Sequence, residues 1–234
     1  SGLNADTVQS SDADVASGTA RDVTVNGLPA GAQLAEGTYT GAYGTITVDA
    51  DGKATYTQTG LYDHTGVGSG TDAKTGADSI TIKVELADGT TVEVTVGVDI
   101  ADDVPSISVD TPATGAYGSE ITGSVDMAFG ADGEKSVTVK LGNETVTGTK
   151  GTDGNYTFTF ADGTVLTLNG SNGDFSYNGL PASGSDTSYD FTFTVTDNDG
   201  DSASASTTAT VGATDTSGLN ADTVQSSDAD VASG

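Results

Sequence analysis

An all-β fold of tandem antiparallel sandwiches is predicted for this chain by three observations. β-Branched residues abound where helix formers such as Leu, Gln, Lys and Arg are scarce. Apolar residues alternate with Thr, Ser, Lys and Glu, as in SITIKVEL (79–86) and TVEVTV (91–96), a period of two that puts one face in a core and the other in water. Asp-Gly or Asn-Gly pairs punctuate the alternation at 51–52, 88–89, 162–163, 172–173 and 199–200, where they suit tight hairpins.

Taken in order, the alternation predicts strands over Asp22–Asn26, Gly44–Ala50, Ala54–Thr59, Ser79–Leu86 and Thr91–Val98 in the first part of the chain. In the second part it predicts Ser106–Val109, Ser136–Leu141, Tyr156–Phe160, Val165–Asn169, Asp174–Tyr177, Ser188–Thr196 and Ser202–Val211. Between the two parts lies IADDVPS (100–106), where Pro105 lacks an amide donor and biases Val104 toward extended geometry, so the boundary falls near Asp103. The halves match internally: ITVDADGKATYTQTG (46–60) aligns with LTLNGSNGDFSYNG (166–179), and SITIKVELADG (79–89) with DFTFTVTDNDG (190–200). Each half therefore reads as one Ig-like sandwich.

Residues 217–234 repeat residues 1–18 letter for letter. Tandem repetition of one unit accounts for this, and such repetition builds length before it builds chemistry. The expected organisation is a first sandwich over 1–103, a second over 104–216 and, at 217–234, the start of the next copy of the first, in an extended beads-on-a-string array.

Composition excludes several functions. A formal net charge of −27 with seven Lys and Arg argues against nucleic acid and anionic membranes, whose binding needs cationic side chains. The same charge opposes a compact state unless cations offset it. The absence of Cys fits a protein that stays unfolded for export and folds outside the cell on meeting an ion. No apolar run approaches eighteen residues and no secretory leader is evident, so export signals are expected elsewhere in a longer parent protein. An enzyme is not expected: there is no Cys nucleophile, the one histidine, His64, lies in a Gly-rich stretch without an evident partner, and no phosphate loop or zinc set is present.

The strongest chemical signal is Asp197-Asn198-Asp199-Gly200-Asp201. Calcium takes six to eight hard oxygens, and a tight turn carrying these side chains gathers several of them. It is not an EF-hand, since that motif begun at Asp197 requires Gly at 202 and Glu at 208, where the chain has Ser202 and Thr208. In an Ig-like sandwich the turn between the last two strands faces the incoming linker, which brings Asp197, Asp199 and Asp201 toward Asp99, Asp102 and Asp103. So many carboxylates together are costly without a cation, and calcium at this junction is the expected cofactor. The joint between successive repeats is poorer, with Asp88, Asp215 and Asp222 as weaker candidates, and predicts a softer connection. Asp12, Asp14, Asp49, Asp51, Asp110, Asp126 and Asp132 read as turn residues or solvated strand faces.

GLPAGA (27–32) followed by YGTITVDADGKATYT (43–57) and DDVP (102–105) resembles bacterial Ig-like repeats, including the VCBS type, of giant RTX adhesins exported by type I secretion. FGADGEKSVTV (129–139) with YDFTFTVTDNDGDSASASTTATV (189–211) resembles the type I secretion target repeats of the same proteins. The resemblance implies an extracellular, calcium-stiffened spacer in a cell-surface or biofilm adhesin, whose partners are neighbouring identical repeats. Two alternatives stay open. One is a glycan- or protein-binding module using the loop Leu61–Asp78 with Tyr62 and His64; the other is lateral self-association into a fibre or lattice.

Overall fold

The computed structural model describes residues 2–64, 72–179 and 186–212. The second copy of the opening segment, with Asp215 and Asp222, lies outside the described residues, as do positions 65–71. The first part contains strands β1 (Asn4–Ala5), β2 (Val8–Ser11), β3 (Ala20–Val23), β4 (Val25–Asn26), β5 (Gln33–Leu34), β6 (Gly37–Thr40), β7 (Gly44–Val48), β8 (Ala54–Gln58), β9 (Ala73–Glu85) and β10 (Thr91–Ala101). One short helix, α1 (Ala13–Ser17), joins β2 to β3. The second part contains β11 (Ser106–Thr114), β12 (Ile121–Ala128), β13 (Glu134–Leu141), β14 (Glu144–Thr147), β15 (Thr149–Lys150), β16 (Tyr156–Thr159), β17 (Val165–Leu168), β18 (Asp174–Tyr177), β19 (Thr187–Asp197) and β20 (Ser202–Val211).

These strands build two β-sandwiches. In the first, the sheet β2-β10-β9-β5 packs on β3-β8-β7-β6, with β1 and β4 paired as a small ribbon. In the second, β11-β12-β18-β17-β16-β15 packs on β14-β13-β19-β20. Among the described residues no sheet mixes strands from before and after 102–105. Each sandwich has its own core, the first centred on Ile46, Tyr56, Ile80, Ile82 and Ile100, the second on Phe158, Leu166, Phe191 and Phe193.

The period-two pattern is realised as expected where it is strict. Along β9, Ile80, Ile82 and Val84 are buried while Ser79, Thr81, Lys83 and Glu85 face water. Hydroxyl ladders line the outer face of β19 and β20, with Thr192 and Ser206 oxygens 2.9 Å apart and Thr194 and Ser204 2.7 Å apart. The matched hairpins take matching places: β7-β8 sits beside β3 as β17-β18 sits beside β12, and β9-β10 corresponds to β19-β20. Gly173 shows why the Asn-Gly turn there needs glycine. Its φ is +72°, and a Cβ would lie 1.6 Å from the Val125 carbonyl oxygen on β12.

Three features depart from the expectation. β2 joins the edge of β10 in parallel, Val8 opposite Val98, so the sheet is not wholly antiparallel. The chain enters on one sheet and crosses through α1 to the other, where β3 pairs with β8, and a strand entering along β10 in that way runs parallel to it. The strand expected over Asp22–Asn26 divides at Thr24, because β3 pairs with β8 and β4 with β1. β12 carries no clean alternation and includes Gly123, yet it lies inside its sheet between β11 and β18, with register shifts against β11 at Val109/Thr111 and Thr111/Thr114.

Candidate metal centre at the junction

The site is built from three chain segments that meet where the sandwiches adjoin. The first is the linker: β10 ends at Ala101, and Asp102 follows, buried, with Asp103 half-buried beside it. The second is the turn between β19 and β20. Asp197 is fully buried there, its N–H donates to the Asp201 carbonyl oxygen at 3.1 Å, and its Oδ1 accepts the Gly200 N–H at 3.0 Å. The third is the loop between β12 and β13. Its Ala131 N–H donates to Asp103 Oδ2 at 2.6 Å, and the Asn198 side-chain amide donates to the Asp132 carbonyl oxygen at 2.6 Å. A small cleft at this junction is lined by Leu61, Asp63, Asp132, Asn198 and Asp199, residues from both sandwiches.

The result is a concentration of carboxylates with little to neutralise it. One oxygen each from Asp102, Asp132 and Asp199 lies within 4.8 Å of the others. Asp102 Oδ1, Asp103 Oδ1 and Asp132 Oδ2 are buried and accept no hydrogen bond. Burial pushes Asp102 up to about 7, opposed by His64 and reinforced by Asp199, Asp201 and Asp132. Burial likewise pushes Asp132 up to about 6, helped by Asp199, Asp12, Asp103 and Asp197. Asp197 rises to about 6 through burial and the adjoining Asp199 carboxyl. Orphaned buried oxygens from several segments are the donor set that a hard divalent cation takes.

Gly130 holds the third segment in place. Its φ is +69°, and a Cβ there would approach Asp103 Oδ2 to 2.7 Å. Gly130→Ala is expected to cost about 1–3 kcal/mol through left-handed strain and displacement of Asp103. A urea unfolding midpoint checks this, and an unchanged midpoint contradicts it.

Of the candidates read from sequence, the structure gathers Asp102, Asp103, Asp197, Asp199 and Asp201 at the junction. It does not bring Asp99. Period two turns that side chain to the opposite face of β10 from Val98 and Ile100, and its oxygens accept hydrogen bonds from Gln9 at 3.0 Å and the Gly76 N–H at 2.8 Å. Asn198 is exposed, and its amide donates to the Asp132 carbonyl oxygen, bracing the loop that carries Asp132. Asp88 closes its own turn, accepting from the Thr90 N–H at 2.9 Å and hydroxyl at 2.6 Å, and the hydroxyl and N–H hold its carboxyl below the ordinary value.

Three acids read as bland are buried or clustered in the fold. Asp132 belongs to the cluster. Asp12 is fully buried, where burial raises its carboxyl against the opposing Tyr62 N–H, His64 and Gln58. Asp14 is also buried and is paired with Arg21 at 2.7 Å; burial works against its charge, but Arg21 and the Ser11 N–H hold it below the ordinary value. His64, which the sequence places in a Gly-rich loop with binding as an alternative role, is 3% exposed, and Tyr62 packs on the rings of Tyr43 and His64 at centroid distances of 5.1 and 4.9 Å. The buried His64 ring is not free to stack on a sugar.

No family model matches the chain, and no curated protein sequence matches it. Among solved structures it is similar to Drosophila N-cadherin EC1-3, with 12% identity over 88% of this chain and 63% of that one, at a TM-score of 0.36. It is similar to mouse cadherin-23 EC22-24, with 14% identity over 90% of this chain and 63% of that one, at a TM-score of 0.30. Murine CEACAM1b is matched at 10% identity over 90% of this chain and all of that one, at a TM-score of 0.27. The chain spans less than two-thirds of the length of these cadherin chains.

Proposed function

We propose that the chain is a spacer unit of a long extracellular adhesion protein, in which calcium bound between the two sandwiches sets the angle of the joint. One observation carries the reading: buried oxygens of Asp102, Asp103 and Asp132, from the linker and the second sandwich, converge with the Asp197–Asp201 turn and lack hydrogen-bond donors. Such a cluster resists packing while every carboxylate is ionised, and a hard cation removes the conflict and joins the segments that carry it. The letter-for-letter recurrence of residues 1–18 at 217–234 supports a tandem array, and the resemblance of GLPAGA, DDVP and the Asp197–Asp201 turn to adhesin repeats supports its setting. Repetition of such units extends a distal domain away from a surface, and an acidic surface keeps identical neighbours apart.

Small-angle scattering tests the reading directly. In calcium the profile is expected to fit one arrangement of the two sandwiches; in chelator it should require an ensemble of hinge angles. Equal hinge freedom in both conditions would sink the proposal.

A further inference from the structure

We propose that Asp12, His64 and Asp102 form a second cation site, which takes a divalent transition metal such as zinc rather than calcium. The proposal rests on the junction reading only in that Asp102 is common to both groups. The three residues come from separate parts of the first sandwich: the turn after β2, the segment beyond β8 and the end of β10. They are sealed from solvent, at 0%, 3% and 5% exposure respectively.

The geometry around the imidazole decides the matter. His64 Nε2 lies 3.1 Å from the Ile100 carbonyl oxygen, an acceptor only, so this nitrogen carries the hydrogen. Nδ1 then faces three further acceptors, the Tyr62 carbonyl oxygen at 3.1 Å, Asp12 Oδ2 at 3.1 Å and Asp102 Oδ1 at 3.5 Å. A single N–H serves one of these, and both carboxylate oxygens accept no hydrogen bond. A metal ion resolves the conflict by taking the Nδ1 lone pair and both oxygens together. Ligands held at about 2.0–2.1 Å on a tetrahedral zinc ion are about 3.3 Å apart. The observed 3.1 and 3.5 Å bracket that edge.

The surroundings have the form that metal ligands need. The Ile100 carbonyl fixes the imidazole tautomer, while Asp12 Oδ1 accepts from the Gln58 amide at 2.6 Å and the Tyr62 N–H at 3.0 Å. Outer partners of this type orient ligands and fix their protonation. A nitrogen donor with two carboxylate oxygens suits a borderline ion, whereas calcium favours an all-oxygen shell. Occupancy would clip the N-terminal segment and the His64 segment to the residue that opens the linker.

The chain has one histidine, so its imidazole can be observed without ambiguity. The full chain, saturated with calcium, is titrated with zinc and followed by long-range proton–nitrogen NMR. One zinc per chain is expected, with Nδ1 metallated and Nε2 still protonated. His64→Gln should lose more than the about 10–100-fold in zinc affinity that removal of an outer partner costs. Asp132→Asn, which removes a carboxylate of the calcium cluster that is not a zinc ligand, should retain zinc binding. An imidazole spectrum unmoved by zinc in the unaltered chain overturns the proposal whatever the variants do, as does wild-type affinity in His64→Gln. Absence of calcium uptake by the unaltered chain, with its zinc uptake intact, strikes the junction reading instead.

Discussion

Calcium added to the chelator-stripped chain is expected to raise its unfolding temperature by about 8–16 °C at roughly a thousandfold excess over Kd. That excess contributes about 4 kcal/mol to a folded state that alone holds the site, and a chain of this size shifts by about 2–4 °C per kcal/mol. The gain should nearly vanish in Asp102→Asn and in Asp197→Asn. Asparagine at 197 retains the oxygen that accepts the Gly200 N–H at 3.0 Å, so the turn survives while the charge is removed. In chelator the Asp102→Asn chain should be at least as stable as the unaltered one, since it removes a buried charge facing Asp199, Asp201 and Asp132. Asp88→Asn serves as the control, because its carboxylate is engaged with Thr90 in its own exposed turn. Calorimetry of the four chains decides it; a full calcium gain in Asp102→Asn and Asp197→Asn would contradict the assignment.

Without calcium, stability should rise as the pH is lowered from about 7.5 to about 5, the reverse of ordinary acid denaturation. The direction follows from the raised carboxyls. Against an ordinary value of 3.8, Asp102 stands at about 7 and Asp132 and Asp197 at about 6 in the cation-free protein, chiefly through burial. Between those limits the folded chain binds more protons than the unfolded chain, so stability is gained as pH falls through the folded values and lost as it rises. Each extra proton held contributes about 1.4 kcal/mol per pH unit. His64 acts in the same sense: burial opposes its charge, but the Ile100 carbonyl, Asp102 and Asp12 hold it above its ordinary 6.5. Asp14 acts oppositely, since its lowered carboxyl loses its contribution as the pH falls below 3.8. Saturating calcium should flatten the slope by keeping the junction carboxylates ionised. Urea midpoints in chelator that fall steadily from pH 7.5 to 5.5 would refute this account of the cluster.

The parts of the molecule that follow local rules were legible in the amino-acid order. Ser202–Val211 is a strand to the residue, and the five Asp-Gly or Asn-Gly pairs at 51–52, 88–89, 162–163, 172–173 and 199–200 turn with the glycine at positive φ. The Asp197–Asp201 turn was identified as acidic and adjacent to Asp102 because hairpin topology places it at that pole. β12 was not legible, since Gly123 and Asp126 interrupt its alternation and its place is set by β18 and β11 on either side. Neither was the burial of Asp12, Asp14 and His64. A polar residue in a polar stretch reads as solvated until two sheets close over it, and Asp99 shows the converse, excluded from the cluster by its face of β10.

By itself the sequence determines two β-sandwiches, the hairpins within them, the linker at 102–105 and a strongly acidic turn, because strand period and turn chemistry act between neighbours along the chain. The tertiary structure alone decides which acids share a site. Asp12, His64, Asp102, Asp132 and the turn at 197–201 are far apart in sequence, and they meet only through strand pairing and the packing of the two sandwiches. Desolvation at that meeting point, absent from the extended chain, turns ordinary carboxylates into a set that calls for a cation.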